Sequence, residues 1–345
     1  MKALMKTARG VGQLTIREVD NPRPGRDEVL VRVAAAAVSG SDLAIEEDRR
    51  PVDPPRILGR DFAGTVEALG EEVEGWQPGD RVVPEAGARV CGACAACRLG
   101  EHHLCERKKV FGLKVDGGFA GLVRVPAWSL HRVPDNVSLE EAALAGGAAV
   151  IHHALVDRAR VVPGDEVLVL GAGALGLIAL QTALQAGARR VFVAELEEPR
   201  RELARSLGGT VLDAVRMDPA AEVIRFTGGQ GADVVVECTG APPAIGAGLG
   251  AVRRLGTFVA VGLTGRDEVA VPWDQLVLRS VSIQFSLSST YQTWERVLEA
   301  MADGRLDLAR LITHRHPLTR WQQAFESVRT GEAITCLLLP NASGT

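Results

Sequence analysis

The sequence predicts an α/β protein of two domains, one mainly β and one built on a doubly wound parallel sheet. Three observations carry that expectation. Up to about residue 149, short β-rich runs are broken by Pro-Gly, Gly-Asp and Asp-Gly turn signals. After Pro163-Gly164-Asp165 the texture changes to apolar strand-like runs separated by helix-length segments. The chain has 345 residues and 46% hydrophobic content, enough for two cores of ordinary size.

In order along the chain, residues 28–33 and 81–84 read as strands of the first domain. In the second, 167–170 is expected to be a strand, 175–185 a helix, 191–194 a strand and 199–207 a helix. Further strands are expected at 211–212, 234–238, 258–261 and 282–285, giving the alternation of a parallel sheet with helices on both faces. A helix around 294–302, a segment ending in Pro317, a helix around 321–329 and a strand at 334–339 are expected to pack back onto the first domain. The domain division is therefore 1–151 with 288–345, and 152–287. There is no internal repeat.

The formal net charge is -4 and the sequence pI is ≈ 6.0, with the two signs interspersed. No basic stripe is present, which argues against nucleic acid and an anionic membrane surface as partners. Lys2, Lys6 and Arg9 have no apolar stretch behind them, so no secretory signal is read and a cytoplasmic address is expected. Residues 167–180 carry no polar side chain, but the run is shorter than the roughly 20 residues of a membrane span and is broken by glycines. A buried strand turning into a buried helix accounts for it.

That turn is Gly171-Ala172-Gly173-Ala174-Leu175-Gly176, in the strand-to-helix context that a G-x-G-x-x-G dinucleotide fingerprint requires. Gly171 permits the tight turn, Gly173 lets backbone approach a pyrophosphate, and Gly176 lets helix and strand lie close. Glu195 ends the next strand, where a carboxylate accepts hydrogen bonds from ribose hydroxyls and repels a 2′-phosphate. NAD is therefore expected, with Arg200 and Arg201 near enough in sequence to leave NADP open. The plain alternative is a glycine-rich turn without a ligand.

Four of the six cysteines, Cys91, Cys94, Cys97 and Cys105, fall in one short stretch at about 88–108, while Cys238 and Cys336 stand alone in apolar runs. Four thiolates close a tetrahedral zinc shell with no open position, which makes the site structural. An iron–sulfur cluster is the competing reading, although the spacing departs from ferredoxin patterns. His102 and His103 lie inside the loop and are read as surface residues, because four cysteines already complete the shell.

These motifs together resemble the medium-chain, zinc-containing alcohol dehydrogenase family, in the branch of threonine, sorbitol and butanediol dehydrogenases. The resemblance spans essentially the whole chain. It runs through Met1-Lys2-Ala3-Leu4, Pro24-Gly25, Asp27-Glu28-Val29-Leu30, Ile57-Leu58-Gly59 and the cysteine lobe. It continues in Asp116-Gly117-Gly118-Phe119-Ala120, the glycine fingerprint, Glu237-Cys238-Thr239-Gly240 and Ile312-Thr313-His314. The resemblance implies a GroES-like catalytic domain and a Rossmann cofactor domain, with cofactor contacts at Gly171, Gly173, Ala174, Leu175, Gly176, Glu195, Thr239 and Gly262. It also implies a small-molecule substrate and a homo-oligomer, dimer or tetramer, formed at the edge of the cofactor-domain sheet, for which residues 276–285 are apolar enough apart from Arg279.

The departures from the family pattern matter as much. Relatives hold a catalytic zinc through the cysteine of a Cys-Gly-Thr/Ser-Asp motif and the histidine of Gly-His-Glu, with a later acidic or cysteine ligand. Here the motifs read Ser39-Gly40-Ser41-Asp42 and Gly59-Arg60-Asp61, and the later ligand falls on Gly146 or Gly147. A guanidinium cannot ligate zinc. In place of the metal, Arg60, oriented by Asp42 or Asp61, is expected to donate hydrogen bonds to the substrate oxygen, and Ser41 to pass the proton. The relay histidine farther along that motif is Ala44 here. The competing reading is that Arg60 only fills the vacated site as an ion pair with Asp42 and Asp61. His152 and His153, on the presumed interdomain helix, are read as packing residues, with a general-acid role as the alternative. Tyr291 and Trp294 either line the pocket or pack.

The function expected is hydride transfer between a nicotinamide and a secondary alcohol or ketone, polyol or sugar-like, without a catalytic zinc. Two alternatives stay open: a zinc-independent reductase of a conjugated carbon–carbon double bond, and a non-catalytic nicotinamide-binding protein.

Overall fold

Glu28–Val38 reads Glu-Val-Leu-Val-Arg-Val-Ala-Ala-Ala-Ala-Val, and all but Arg32 and Ala34 are buried, with Val29, Val31, Val33, Ala36 and Val38 in the hydrophobic core. In the computed structural model, which describes residues 1–342, it pairs antiparallel with Asp61–Leu69, Leu122–Pro126 and Thr335–Leu339. The sheet around it is seven-stranded, and Leu130–Arg132, Arg81–Pro84 and Ile312–Pro317 complete it. Gly64 permits the closest approach: a Cβ there would lie 2.0 Å from the Arg32 carbonyl oxygen. A second sheet carries Leu14–Glu18, Lys2–Lys6 and Arg56–Ile57.

The C-terminal segment joins the larger sheet by a parallel crossover, Ile312–Pro317 to Thr335–Leu339, through the helix Trp321–Arg329. That helix buries Trp321, Ala324 and Phe325 at its regular spacing, and Phe325 meets Phe119 edge-on at 6.2 Å in the core. This unit comprises Met1–Gly146 and Thr290–Thr345.

The second unit, Gly147–Ser289, is a six-stranded parallel sheet. Its strand order is Thr210–Asp213, Arg190–Glu195, Glu166–Leu170, Ala232–Glu237, Val252–Ala260, Ser282–Phe285. Numbered within the unit, that is the order 3-2-1-4-5-6 of a dinucleotide-binding fold. The central strands are continuous apolar runs, as strands buried on both faces must be. Helices Ala174–Gln185, Glu198–Ser206, Pro219–Phe226, Pro242–Ala251 and Trp273–Leu278 alternate with them. The strand expected at 258–261 begins earlier, at Val252, because the polar pair Arg253-Arg254 hides its first half from a hydrophobic pattern. His152 closes the helix Ala145–His152, and His153 opens a π-helical stretch, His153–Arg158, where its Nδ1 lies 3.1 Å from Asp157 Oδ2.

Candidate active site and cysteine lobe

In the second unit the chain leaves Glu166–Leu170 at the point where strand order reverses, and there the fingerprint turns. Gly171 adopts φ +88°, and its N–H donates to the Ala194 carbonyl at 2.9 Å. A Cβ on Gly176 would stand 1.8 Å from the Gly171 oxygen, so only glycine allows the helix to start so close to the strand. Around Gly173 there is open space, and the helix Ala174–Gln185 begins behind it with its first N–H groups without intrahelical partners. This cradle fits a pyrophosphate. Leu175 packs from the same turn toward Gly147, whose Cβ would meet its Cδ2 at 3.3 Å.

Glu195 is buried at the end of the neighbouring strand. Its Oε2 accepts from Ala172 N at 2.6 Å, and its Oε1 from Leu196 N at 2.7 Å and Glu197 N at 3.0 Å. A carboxylate offers about four acceptor positions, so one remains for a ribose hydroxyl. Arg201 is committed elsewhere. It donates to the Glu195 and Leu196 carbonyls and to Glu198, and it pairs with Asp213 at 3.3 Å.

Glu237, which the sequence reading did not single out, organises the other side of the same turn. Its Oε1 accepts from Thr239 N at 2.6 Å, from the Thr239 hydroxyl and from Gly240 N at 2.9 Å. Thr239 is thereby fixed with its methyl 2.5 Å from where a Gly171 Cβ would be. Gly262 is required beside it, since a Cβ would fall 2.4 Å from Gly240 N and 2.5 Å from Glu237 Oε2. An acidic residue closing an apolar strand just before Thr-Gly was the available signal. Every fingerprint residue, with Glu195, Thr239 and Gly262, thus borders this one turn.

In the first unit the four lobe cysteines come together, with one sulfur from each within 4.8 Å of all the others and Cys91 and Cys97 at 3.9 Å. Tetrahedral zinc with Zn–S near 2.3 Å sets its sulfurs about 3.8 Å apart, so the lobe fits that ion. Backbone N–H groups of Ala93 and Cys94 lower the Cys91 thiol to about 5, whereas burial and the neighbouring thiols raise Cys97 to about 12. A cation in the centre is what would hold all four as thiolates. His103 departs from expectation: it is buried, its Nδ1 lies 3.4 Å from Glu101, and its carbonyl accepts from Lys108 Nζ at 2.6 Å. His102 packs edge-on to Trp128.

A third constellation, also in the first unit, surrounds the short helix Gly40–Glu46 and the start of Asp61–Leu69. Ser39 precedes the helix, and its N–H and hydroxyl donate to Asp42 Oδ2 at 2.9 and 2.6 Å. Burial raises the Asp42 pKa, and the Ser39 bonds and the Arg60 charge only partly offset it. Arg60 reaches Asp61 Oδ2 and Ser41 Oγ, each at 3.4 Å, and the Asp61 charge raises its pKa. The partner of Arg60 is therefore Asp61; Asp42, the other candidate, is engaged by Ser39.

Arg50, absent from the sequence reading, donates to the same Ser41 Oγ at 2.9 Å. The Ser41 oxygen thus accepts from two guanidinium groups, which uses both lone pairs and leaves its O–H to donate. Gly146 adjoins this cluster: a Cβ there would lie 2.9 Å from Asp61 Oδ1 and 3.4 Å from the Trp294 ring. Trp294 and Tyr291 pack on the buried ring of His131, at 5.2 and 4.6 Å, and its Nδ1 lies 2.5 Å from Glu295. Ser39, Arg60, Asp61 and Gly146 do not make a zinc donor set: one is a cation, one has no side chain, and two are hydrogen-bonded or ion-paired to neighbours. Among the described residues the cysteine lobe alone groups three or more Cys, His, Asp or Glu that could hold a metal ion.

Comparison with known proteins agrees with this geometry. Residues 25–135 match the alcohol dehydrogenase GroES-like domain, and residues 174–303 match the zinc-binding dehydrogenase family. The chain is 34% identical to the sorbitol dehydrogenase of Halalkalibacterium halodurans over 99% of both chains. It is 36% identical to the L-threonine 3-dehydrogenase of Pyrococcus horikoshii over 96% of both. The crystal structure of a zinc-binding dehydrogenase from Sinorhizobium meliloti 1021 bound to NADP superimposes with TM-score 0.92 at 28% identity, covering 98% of this chain and 99% of that one. The chain belongs to the medium-chain, zinc-containing alcohol dehydrogenase family and is a nicotinamide-dependent alcohol oxidoreductase of that family.

Proposed function

We propose that this enzyme transfers hydride between NAD and a secondary alcohol or its ketone, with Arg60 and Ser41 in place of a catalytic zinc and one structural zinc in the lobe of Cys91, Cys94, Cys97 and Cys105. The observation that carries the proposal is the pair of guanidinium bonds to Ser41 Oγ, 2.9 Å from Arg50 and 3.4 Å from Arg60. When bound, the nicotinamide supplies the hydride or accepts it. The task left to the chain is to stabilise charge on the substrate oxygen and to move one proton.

Both needs are met around Ser41. Its O–H is left as a donor, and the two positive charges beside it favour the deprotonated oxygen that remains once the proton is given to the substrate oxygen. Arg60, held by Asp61, provides the fixed positive charge that a metal would otherwise supply. A sugar-like or polyol substrate agrees with the sorbitol dehydrogenase relative. NAD over NADP is supported by the Glu195 carboxylate and by the engagement of Arg201 with Glu198 and Asp213.

NADH oxidation over a panel of ketones and enones tests this reading. Ketone turnover is expected, faster with NADH than with NADPH. Replacing Arg60 with methionine is expected to lower kcat about 10²- to 10³-fold while leaving cofactor binding intact. Turnover of enones alone, or an undiminished Arg60→Met enzyme, would contradict it.

Assembly into a homodimer through the sheet edge Ser282–Phe285 is part of the proposal. Phe285 on that edge is 74% exposed, and Val277, Leu278 and Leu287, close to it in sequence, are also exposed, apolar side chains that an edge-to-edge partner would cover. Sedimentation is expected to give a dimer or larger, and a Phe285→Lys chain to dissociate. A wild-type monomer would refute it.

A further inference from the structure

Arg50 has a role beyond its bond to Ser41. It is half-buried, and among the described residues it pairs with no carboxylate. Burial and the nearby Arg60 charge both lower its pKa, with only Asp42 acting the other way.

Arg50 and Arg60 thus crowd one oxygen, at 2.9 and 3.4 Å from Ser41 Oγ. The carboxylates close to Arg60 are Asp61, which is ion-paired to it, and Asp42, which is buried and engaged by Ser39. Holding the Arg50 guanidinium half out of water without a paired carboxylate is unfavourable, and two guanidinium groups on one hydroxyl repel each other. Turnover at Ser41 uses that charge only while its proton is away, so with a neutral substrate bound the excess stays uncompensated for the rest of the cycle. An anion relieves it. Arg50 uses one of its five N–H donors on Ser41, so a planar fork remains for bidentate contact with a carboxylate or phosphate.

We propose that Arg50 is the specificity-determining anion anchor of this site, and that the substrate is a secondary alcohol or ketone carrying a carboxylate or phosphate group. The inference rests on the reading of Ser41 and Arg60 as the groups that act on the substrate oxygen, because it places the anion next to them.

The test is calorimetric titration of the full-length enzyme, saturated with NADH so that the glycine turn offers no competing phosphate site. The probes are inorganic phosphate, acetate and, as a neutral control, glycerol. At least one anion is expected to bind, more weakly as sodium chloride is raised, and glycerol is expected not to. Phosphate alone would indicate a phosphorylated substrate, acetate alone a hydroxy or oxo acid. Arg50→Gln is expected to weaken anion binding at least tenfold and Arg50→Lys to restore part of it. No anion binding by the wild-type enzyme, or equal binding by Arg50→Gln, would overturn the proposal, and the wild-type titration decides even if a variant does not fold. Failure of the underlying catalytic reading would look different: Arg60→Met would keep its turnover whatever the anion titration gave.

Discussion

Asp42 is a carboxylate held at 3% exposure on the first turn of a seven-residue helix, and burial raises its pKa. A carboxyl whose folded pKa exceeds its unfolded value contributes stability that is fully present below the unfolded pKa, near 4, and is lost as pH rises through the folded value. Asp42→Asn keeps an acceptor for the Ser39 N–H and hydroxyl and removes the titration. The variant is therefore expected to lose less stability than wild type between pH 4 and neutrality, as checked by denaturant unfolding across that range. A wild-type profile unchanged by the substitution would contradict this. Arg60 and Asp61 were legible at this scale, because they replace residues of a short motif. Arg50 was not, since its approach depends on folding: Asp48 turns the chain with φ +59°, and the Arg50 N–H returns to the Ala44 carbonyl at 2.9 Å. His103 was misread as a surface residue because the spacing of four cysteines says nothing about what the loop packs against.

The glycine turn is decided at the scale of the element. With a Cβ at Gly176 only 1.8 Å from the Gly171 oxygen, Gly176→Ala must push the helix Ala174–Gln185 off the strand Glu166–Leu170. That helix is buried along most of its length, so it has no solvent side to move toward. The expected results are a loss of about 1–3 kcal/mol in denaturant unfolding and at least a tenfold weaker NADH affinity by fluorescence titration. Alanine tolerated in both measurements would mean that the close approach is not required. The strands Glu166–Leu170, Arg190–Glu195 and Ala232–Glu237 were readable because burial on both faces makes them nearly unbroken apolar runs, and the helices Pro219–Phe226 and Pro242–Ala251 were less so. Glu237 stood in a motif that carries the family resemblance, but its role was not legible because it lies in one carboxylate oxygen taking three donors, which no hydrophobic period reveals.

At the scale of the whole molecule, the parallel unit and the β unit follow from the change of texture after residue 163, and the family from several motifs in one order. The C-terminal strand Thr335–Leu339 lies between Glu28–Val38 and Ile312–Pro317, a pairing between chain segments roughly 300 residues apart that sequence alone leaves open. Metal content is the property in which this chain is expected to depart from its family. Four cysteines meet with the spacing of a closed zinc shell, and the positions that the family resemblance assigns to a second, catalytic zinc are expected to be Ser39, Arg60, Asp61 and Gly146 or Gly147. The most direct test is elemental mass spectrometry of active enzyme purified without added metal, with zinc counted per chain. The account predicts one; two, with activity that follows the second, would contradict it.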